Sequence, residues 1–577
     1  MDSILSMKTG TTKKKIAIIG GGPCALFMYK RLVEAGGKNL QIDIFERKNK
    51  LGAGMPYSAE GANEEHITNV SDNEIPVIFN SIADWVKTAP KSLLKKYNIN
   101  ADNFNEYKVL PRLFFGEYLT AQFDLLKKFA DKKGITTNIH FGVVVEDVTD
   151  HPRKKRVSVK VQEQVAQEFD ELVICTGHNW PKKYEGKIPG YFDSPYPPKK
   201  MLLKLNSPVG LMGSSLTAID AVRTLAKANG KFVENANGKL CYVLNPASEG
   251  FKLVMHSRNG LLPAIRFHLE DPHLGKGGTL IKAEIQKHIK ENDGFVSLDF
   301  LFEENFKVRF KKEDPDFYQK IKDLTLEEFV ESMMAWREKM DPFELFKREY
   351  IEAEKSIRKK ESVYWKEALA ILSFTLNYPA KYFSAEDMER LQKVLMPLIS
   401  IVIAFVPQSS CRILFALHDA GILDIIEVGD NSWVKPLKNG GVNYHYYNNK
   451  QKKVVSHFDT FVDCVGQPHL SVKDFPFKSL VKSGKINQAR LAFRSDEAGY
   501  GAKQAGNKQI RKIGGKYFLN VPGVTINDYF QPVDKKGNNC ERLYLMAVPY
   551  MGGYNPDYSG LDFCEAASLV VKNQILG

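Results

Sequence analysis

Close cysteine pairs are missing. The seven cysteines, at positions 24, 175, 241, 411, 464, 540 and 564 of 577, never fall as C-x-x-C or at zinc-finger spacing. That excludes a disulfide scaffold and a zinc ribbon, and an odd, scattered set fits reduced thiols in a cytosolic protein. Long hydrophobic runs are also missing. The longest, Leu395 to Val406, is interrupted by Pro397 and Ser400 and falls short of the ~20 residues of a membrane span, so it reads as a buried helix. Met1 to Lys15 lacks the apolar core of a signal peptide, and the expectation is a soluble, cytoplasmic protein with no membrane span. No period of roughly 20–50 residues marks a repeat array. H-E-x-x-H, G-x-x-x-x-G-K-[ST] and a Ser-His-Asp order are absent too.

What is there is ordinary globular material: 43% hydrophobic and 26% charged residues. At about 150 residues per domain, this length implies three or four domain-sized units. Lys and Arg number 81 against 68 Asp and Glu, a surplus of 13. The basic residues lie in short runs (Lys13–Lys15, Arg153–Arg156, Arg358–Lys360) without interleaved aromatics, so they read as solvated faces and no nucleic acid is expected. Anionic ligands are compatible with the surplus.

The chain begins with a βαβ pattern: Ile16–Ile19 apolar, Gly20–Gly22 a break, Ala25–Ala35 a helix, Gln41–Phe45 a second apolar run. An amphipathic helix is predicted over Leu110–Phe129, an antiparallel meander over Ile139–Val165, and a strand over Leu172–Cys175. A second strand–turn–helix starts at Pro208. Between about Gly275 and Gln408, Glu, Lys, aromatics and long helical periods predict an inserted helical region, with helices at Leu324–Arg337, Pro342–Arg358 and Ala385–Leu395. Strand-like runs return at Ile425–Val428, Val454–Phe458, Phe461–Val465 and Leu543–Ala547, and Leu561–Gln574 reads as a closing helix.

Two glycine turns carry chemistry. In the first, Gly20 allows the tight turn, Gly22 lets the backbone approach a pyrophosphate, and Ala25 is small enough for helix–strand packing. The helix N-terminus supplies amide donors and a positive dipole end. Glu46 ends the second strand, where a carboxylate can accept both ribose hydroxyls of a dinucleotide. The second turn, Gly213-Ser214-Ser215, places a serine at the middle glycine position, which limits the approach of a diphosphate. Its following strand ends in His256-Ser257-Arg258 with no carboxylate. A hydroxyl and a guanidinium there suit a 2′-phosphate, which points to NADP(H). A Rossmann-like unit that no longer binds a dinucleotide is the alternative. Thr176-Gly177 and Val465-Gly466 end two further strands.

These residues resemble the two-dinucleotide-binding-domain flavoproteins, and within them the FAD/NAD(P)-binding family related to flavin-dependent N-hydroxylating monooxygenases. The matching stretches are Ile16–Glu46, Leu51–Val70, Leu110–Leu119, Val173–Gly177, Gly213–Asp220, Ser257–Pro263 and Leu543–Ala567. The implied fold is α/β: two Rossmann-like domains, for FAD and NAD(P), with the FAD domain discontinuous and a helical insertion. The implied segments are 14–200 and 467–577 for FAD, 205–270 and 409–466 for NAD(P), and 271–408 for the insertion. The resemblance implies that Gly20, Gly22, Pro23, Cys24 and Ala25 line the FAD pyrophosphate, with Glu46 and Arg47 at the adenosine end. It also implies that Arg112 neutralises the diphosphate or fixes its helix. Met55, Tyr57 and Asn69 are expected beside the isoalloxazine, and Val145, Thr176 and Gly177 as further FAD contacts. Gly560 and Leu561 are expected to open a helix facing the flavin. Gly213, Ser214, Ser215, Ser257 and Arg258 are the NADP(H) candidates.

Asn69, Arg266 and His268 are the candidate catalytic residues, the last two in a loop expected over the flavin–nicotinamide junction. Cys24 and Cys564 read as isolated structural thiols, and without a close dithiol a disulfide reductase is disfavoured. His66 and His178 read as structural hydrogen-bonders, as do Asp557 and Tyr558. His268, Asp271 and His273 are too poorly spaced for convergence on one ion, so no metal is expected. The implied activity is NADPH-driven oxygenation of a small nucleophilic metabolite by molecular oxygen through a flavin C4a-(hydro)peroxide. An FAD dehydrogenase or reductase without oxygenation, and a non-enzymatic FAD-binding interaction protein, are the alternatives, and a homodimer is left open.

Overall fold

The structure is a computed structural model that describes residues 13–162, 165–269, 278–557 and 560–577. In chain order, the elements that position the site are β1 (Lys14–Ile19), α1 (Pro23–Ala35), β2 (Leu40–Glu46), α2 (Arg112–Lys132), β3 (Thr136–Phe141), β4 (Glu171–Ile174), β5 (Pro208–Met212), α3 (Leu216–Asn229) and β6 (Lys252–Ser257). After them come α4 (Leu326–Glu338), α5 (Pro342–Lys359), α6 (Tyr364–Thr375), β7 (Leu423–Glu427), β8 (Thr460–Asp463), β9 (Leu543–Leu545) and α7 (Gly560–Leu576).

The first sheet runs β9-β4-β1-β2-β3, every neighbouring pair parallel. A parallel strand at the centre of a sheet is apolar along its length, and Ile16, Ala17 and Ile18 are wholly buried. α1 and α2 pack side by side, Tyr29 stacking on Phe123 with centroids 4.9 Å apart. β9 and α7 come back to this sheet from the far end of the chain, and α7 packs on α1. The expected meander from Ile139 is corrected in part. Thr136–Phe141 is a parallel strand of the main sheet, delivered by the α2 crossover, and only 145–161 with 167–169 form an antiparallel ribbon.

The second sheet orders as Tyr191–Phe192, β8, β5, β6, β7, again all parallel. The helices of the insertion run from Lys282–Glu291 to Met396–Val402 between β6 and β7. Their centre is aromatic: Phe302, Phe306, Phe310 and Phe329 are buried against one another. The single helix expected over Ala385–Leu395 is instead a helix over Ala385–Arg390, a π-helical turn over Leu391–Leu395 and a further helix over Met396–Val402. Leu395, Leu398, Ile399 and Val402 are buried, as that apolar run implied. Among the described residues no helix is long and apolar enough to cross a membrane.

Candidate functional site

At the first turn, Gly20 has φ +99°, and a Cβ there would lie 2.6 Å from the Cys175 carbonyl oxygen, so only glycine fits against the end of β4. Gly22 caps α1 without a side-chain partner, and Pro23 follows at the first helical position. A Cβ on Gly22 would stand 3.3 Å from Gly54 Cα, because the Leu51–Gly54 loop folds back on the turn and Gly52 N–H donates to Gly21 O at 2.7 Å. The Glu46 carboxylate accepts Gly21 N–H at 2.6 Å on one oxygen and Lys48 N–H at 2.9 Å on the other. Each oxygen keeps a free lone pair for a hydroxyl. Arg47 is exposed and 3.8 Å from Glu60. Val145 opens the antiparallel ribbon opposite Val161, and Val143 N–H donates to Glu46 O at 3.1 Å.

The two expected strand ends meet. His178 Nδ1 lies 3.1 Å from Gln467 Oε1, Asn179 N–H donates to the same oxygen at 2.9 Å, and Trp180 Nε1 donates to Gly466 O at 3.2 Å. Burial lowers the pKa of His178. His66 is buried, its Nε2 3.1 Å from Asp220 O and 3.0 Å from Thr224 Oγ1. Met55 O accepts the amide and hydroxyl of Ser58, and Tyr57 meets Phe115 edge-on at 4.8 Å. Burial pushes the Tyr57 phenol up to about 12.

At the second turn Gly213 has φ +109°, with Cys464 O 3.0 Å from where a Cβ would be. Ser214 Oγ donates to Leu261 O at 2.7 Å, while Ser215 caps α3 and is exposed. At the end of β6, Ser257 Oγ is buried with no hydrogen-bond partner, and Arg258 is exposed with Asp430 3.8 Å away.

Three expected site residues are engaged by protein groups. The Arg112 guanidinium donates to Asp220 at 2.7 and 3.2 Å, to Gly61 O at 3.3 Å and to Ile67 O at 3.2 Å. It is a buried clamp between α2 and α3, its charge matched to Asp220, which is the helix-fixing part of the expectation for Arg112. Arg266 is 6% exposed and donates to Asn69 O at 2.5 Å, to Ser71 Oγ at 2.8 Å and to Glu74. Its guanidinium is therefore occupied by protein groups and unavailable to a substrate, and Asn69 contributes its carbonyl to that lock. His268 is buried between Tyr107, with ring centroids 5.4 Å apart, and α5, its N–H donating to Ser356 Oγ at 3.0 Å. Glu270, Asp271, His273 and Tyr558 lie outside the described residues. Among the described residues, no group of three or more His, Cys, Asp and Glu could hold a metal ion.

The start of α7 brings together groups that no local motif signals. Gly560 (φ +68°) opens the helix and Leu561 is buried. Cys564 is not an isolated thiol: its Sγ lies 3.3 Å from Cys24 Sγ, at the start of α1. Its hydrogen bond with Cys24 and its burial push the Cys564 thiol well up, and burial does the same to Cys175. Neither is disposed to ionise. Asp557 and Asp562 are each pushed up to about 6 by burial, Asp562 further by the charge of Asp557. The insertion reaches this point too. Asn377 Oδ1 accepts the Asp557 N–H at 2.8 Å, and the Ser373 hydroxyl partly offsets the shift of Asp557.

Comparison with known proteins fits this geometry. A curated relative from Escherichia coli (strain K12), the uncharacterized protein YdhS, is 30% identical over 565 residues, covering 96% of this chain and 95% of the relative. The chain belongs to the YdhS family. Residues 17–179 match the FAD-NAD(P)-binding family model, and residues 281–403 the YdhS-like middle domain. Among solved structures, the FAD-bound cadaverine monooxygenase DfoA of Erwinia amylovora is similar over 98% of this chain and 95% of its own, at 11% identity and TM-score 0.47. The bacillithiol disulfide reductase Bdr of Staphylococcus aureus is similar over 98% of both chains, at 11% identity and TM-score 0.41. Similarity at that level does not decide between oxygenation and disulfide reduction.

This member of the YdhS family thus carries an FAD-NAD(P)-binding domain, with FAD and NAD(P)H as its cofactors. Its residues fit them. Thr176 Oγ1 is a buried hydroxyl oxygen without a partner beside Gly20, and Ser257 Oγ is another, at the end of β6 next to the strand that leads into the second turn. Both α1 and α3 open without side-chain caps, which leaves their first amides for phosphate oxygens.

Proposed function

We propose that the protein is an NADPH-using flavin monooxygenase acting on a small nucleophilic metabolite. Bound FAD supplies the two-electron redox chemistry and the reactivity toward oxygen. The α1 amides and Glu46 hold its diphosphate and ribose, and the N-terminus of α7 presents amides and a positive dipole end to the ring. Ser257 and Arg258 take the 2′-phosphate that separates NADPH from NADH. Near neutral pH the Asp557–Asp562 pair, titrating around 6, accepts the proton that a nucleophilic substrate must lose. Asn377, from the insertion, fixes the Asp557 backbone by accepting its N–H at 2.8 Å.

The observation that carries this reading is the duplicated arrangement: two glycine turns, each with an uncapped helix start and an unpartnered buried hydroxyl at a neighbouring strand end. Disfavouring disulfide reduction, Cys564 and Cys175 are held neutral by their surroundings. The test is anaerobic titration of the FAD-loaded protein with NADPH and NADH, followed by oxygen uptake and peroxide assays with candidate amines and thiols. Bleaching that favours NADPH, with oxygen consumed in step with substrate and little peroxide released, is the expected result. Stoichiometric peroxide with every candidate would overturn oxygenation, and failure of NADPH to bleach the flavin would overturn the redox role.

A further inference from the structure

A cavity of about 640 Å³ lies wholly within the insertion, walled by α4, α5 and α6 together with Phe317 and Lys320. That is the size of a small-molecule site. At its floor Arg337 and Lys366, both 2% exposed, share one buried carboxylate oxygen: Glu349 Oε1 accepts from Arg337 Nη2 at 2.9 Å and from Lys366 Nζ at 3.2 Å. The only other carboxylate on Lys366 among the described residues is Glu352, at 2.7 Å and 46% exposed at the rim. The two cations are matched by two carboxylates, but only Glu349 is buried with them, so part of the balance comes from the solvent-exposed rim and a further anion in the cavity can take its place. Arg337 Nε is buried with no hydrogen-bond partner, although the rest of that guanidinium is engaged by Glu349 and by Met333 O at 3.2 Å. At the mouth, Lys320 and Arg348 are exposed and have no ion-pair partner among the described residues.

The walls are aromatic. The Arg337 guanidinium carbon lies 5.5 Å from the Trp336 ring centroid and 5.2 Å from that of Trp365. Trp336 is 50% exposed, a large indole face left open to solvent at the cavity edge. Indole faces beside a guanidinium with an unpartnered Nε suit a flat ring that carries negative charge.

We propose that this cavity is a binding site for a planar aromatic anion, its ring on Trp336 and Trp365 and its carboxylate or phosphate oxygen on Arg337 Nε, with Arg348 and Lys320 at the mouth. The site shares no residue with the dinucleotide turns and does not depend on how they are read.

The test is calorimetric titration of the full-length, FAD-loaded protein saturated with NADP⁺. The probes are AMP, indole-3-carboxylate, cyclohexanecarboxylate and inorganic phosphate. Binding by AMP or by indole-3-carboxylate is expected, and the tighter of the two assigns the anion as phosphate or carboxylate. Trp336→Ala should weaken it by about tenfold, in line with the loss of ring stacking on a desolvated cation. Arg348→Ala should weaken it and flatten its salt dependence. Both residues are exposed, so folding is preserved and melting curves should be unchanged. Arg337→Lys keeps the charge on Glu349 but removes Nε, and should also weaken binding. If neither aromatic probe binds, if cyclohexanecarboxylate or phosphate binds as tightly, or if Trp336→Ala has no effect, the site is not what is proposed.

Discussion

Replacing Arg112 by methionine separates a clamp from a phosphate contact. Asp220 is 6% exposed and accepts from Arg112 at 2.7 and 3.2 Å and from the Tyr196 hydroxyl at 2.7 Å. Burial, the largest single influence, would raise its carboxyl, but the charges of Arg112 and His66 and the hydrogen bonds from Arg112 and Tyr196 together hold it below the usual carboxylate range. Removing the cation takes the ion-pair partner from a buried carboxylate and leaves it the more distant charge of Arg223, at a cost of about 3–5 kcal/mol. Removing both charges, in Arg112→Met with Asp220→Asn, should recover part of that loss, with a coupling of about 1–3 kcal/mol. The pH dependence has a definite sign. In the wild type the depressed carboxyl contributes stability above the unfolded value of about 3.9, and that stability is lost as pH falls through the lower folded value. In Arg112→Met burial is opposed only by His66 and Tyr196 and the folded value rises, so the deficit against wild type grows as pH rises from about 4 toward neutral. Unfolding of the FAD-loaded proteins at pH 5 and pH 8, with FAD affinity measured in parallel, decides the matter. A variant whose stability moves by less than about 0.5 kcal/mol at both pH values, while FAD affinity falls more than tenfold, would put the guanidinium on the diphosphate after all.

Other substitutions test other parts of the site. Arg258→Ala should raise KM for NADPH by about 10–100-fold, the size of a charge-assisted contact of roughly 1.5–3 kcal/mol, with KM for NADH unchanged. Equal effects on both coenzymes would remove the 2′-phosphate assignment. Asp557→Asn together with Asp562→Asn should abolish the ionisation near 6 in the pH profile of turnover, because both carboxyls that burial raises to about 6 are gone. A profile still bending near 6 would assign that ionisation elsewhere. In Gly22→Ala the new Cβ, 3.3 Å from Gly54 Cα, must push the loop outward and weaken FAD binding by about tenfold, read by flavin fluorescence on dilution. Cys24→Ser and Cys564→Ser should each leave NADPH-driven turnover within about twofold, since Cys564, held protonated by its hydrogen bond with Cys24 and by burial, gives a dithiol path no thiolate on its side. Loss of turnover in both would restore a dithiol path.

What the sequence disclosed here is what neighbouring residues enforce on one another. Gly20, Gly22, Ala25 and Glu46 lie within one βαβ unit, so the turn, the helix start and the acid are legible together, and the structure builds them with β1, α1 and β2 in parallel register. The fate of a charge is different, because its partner is chosen by the fold. Arg112 sits in a recognisable L-P-R pattern, yet Asp220 is 108 residues away, and Arg266 finds Glu74 across 192. An arginine in a cofactor motif therefore reports where the backbone goes and not which anion neutralises it. The Cys24–Cys564 contact bridges 540 residues and escapes any spacing rule. It exists because β9 and α7 must return to cover the edge of the first sheet, which sets the start of α7 against the start of α1. The same return explains why Asp562 was not singled out: a carboxylate in the first turn of a helix is ordinary N-terminal composition until burial beside Asp557 raises its pKa. The insertion obeys the same logic. Its helical periods are visible, but whether Trp336, Arg337 and Trp365 face a core or a cavity depends on how α4, α5 and α6 pack, and periodicity alone does not fix that.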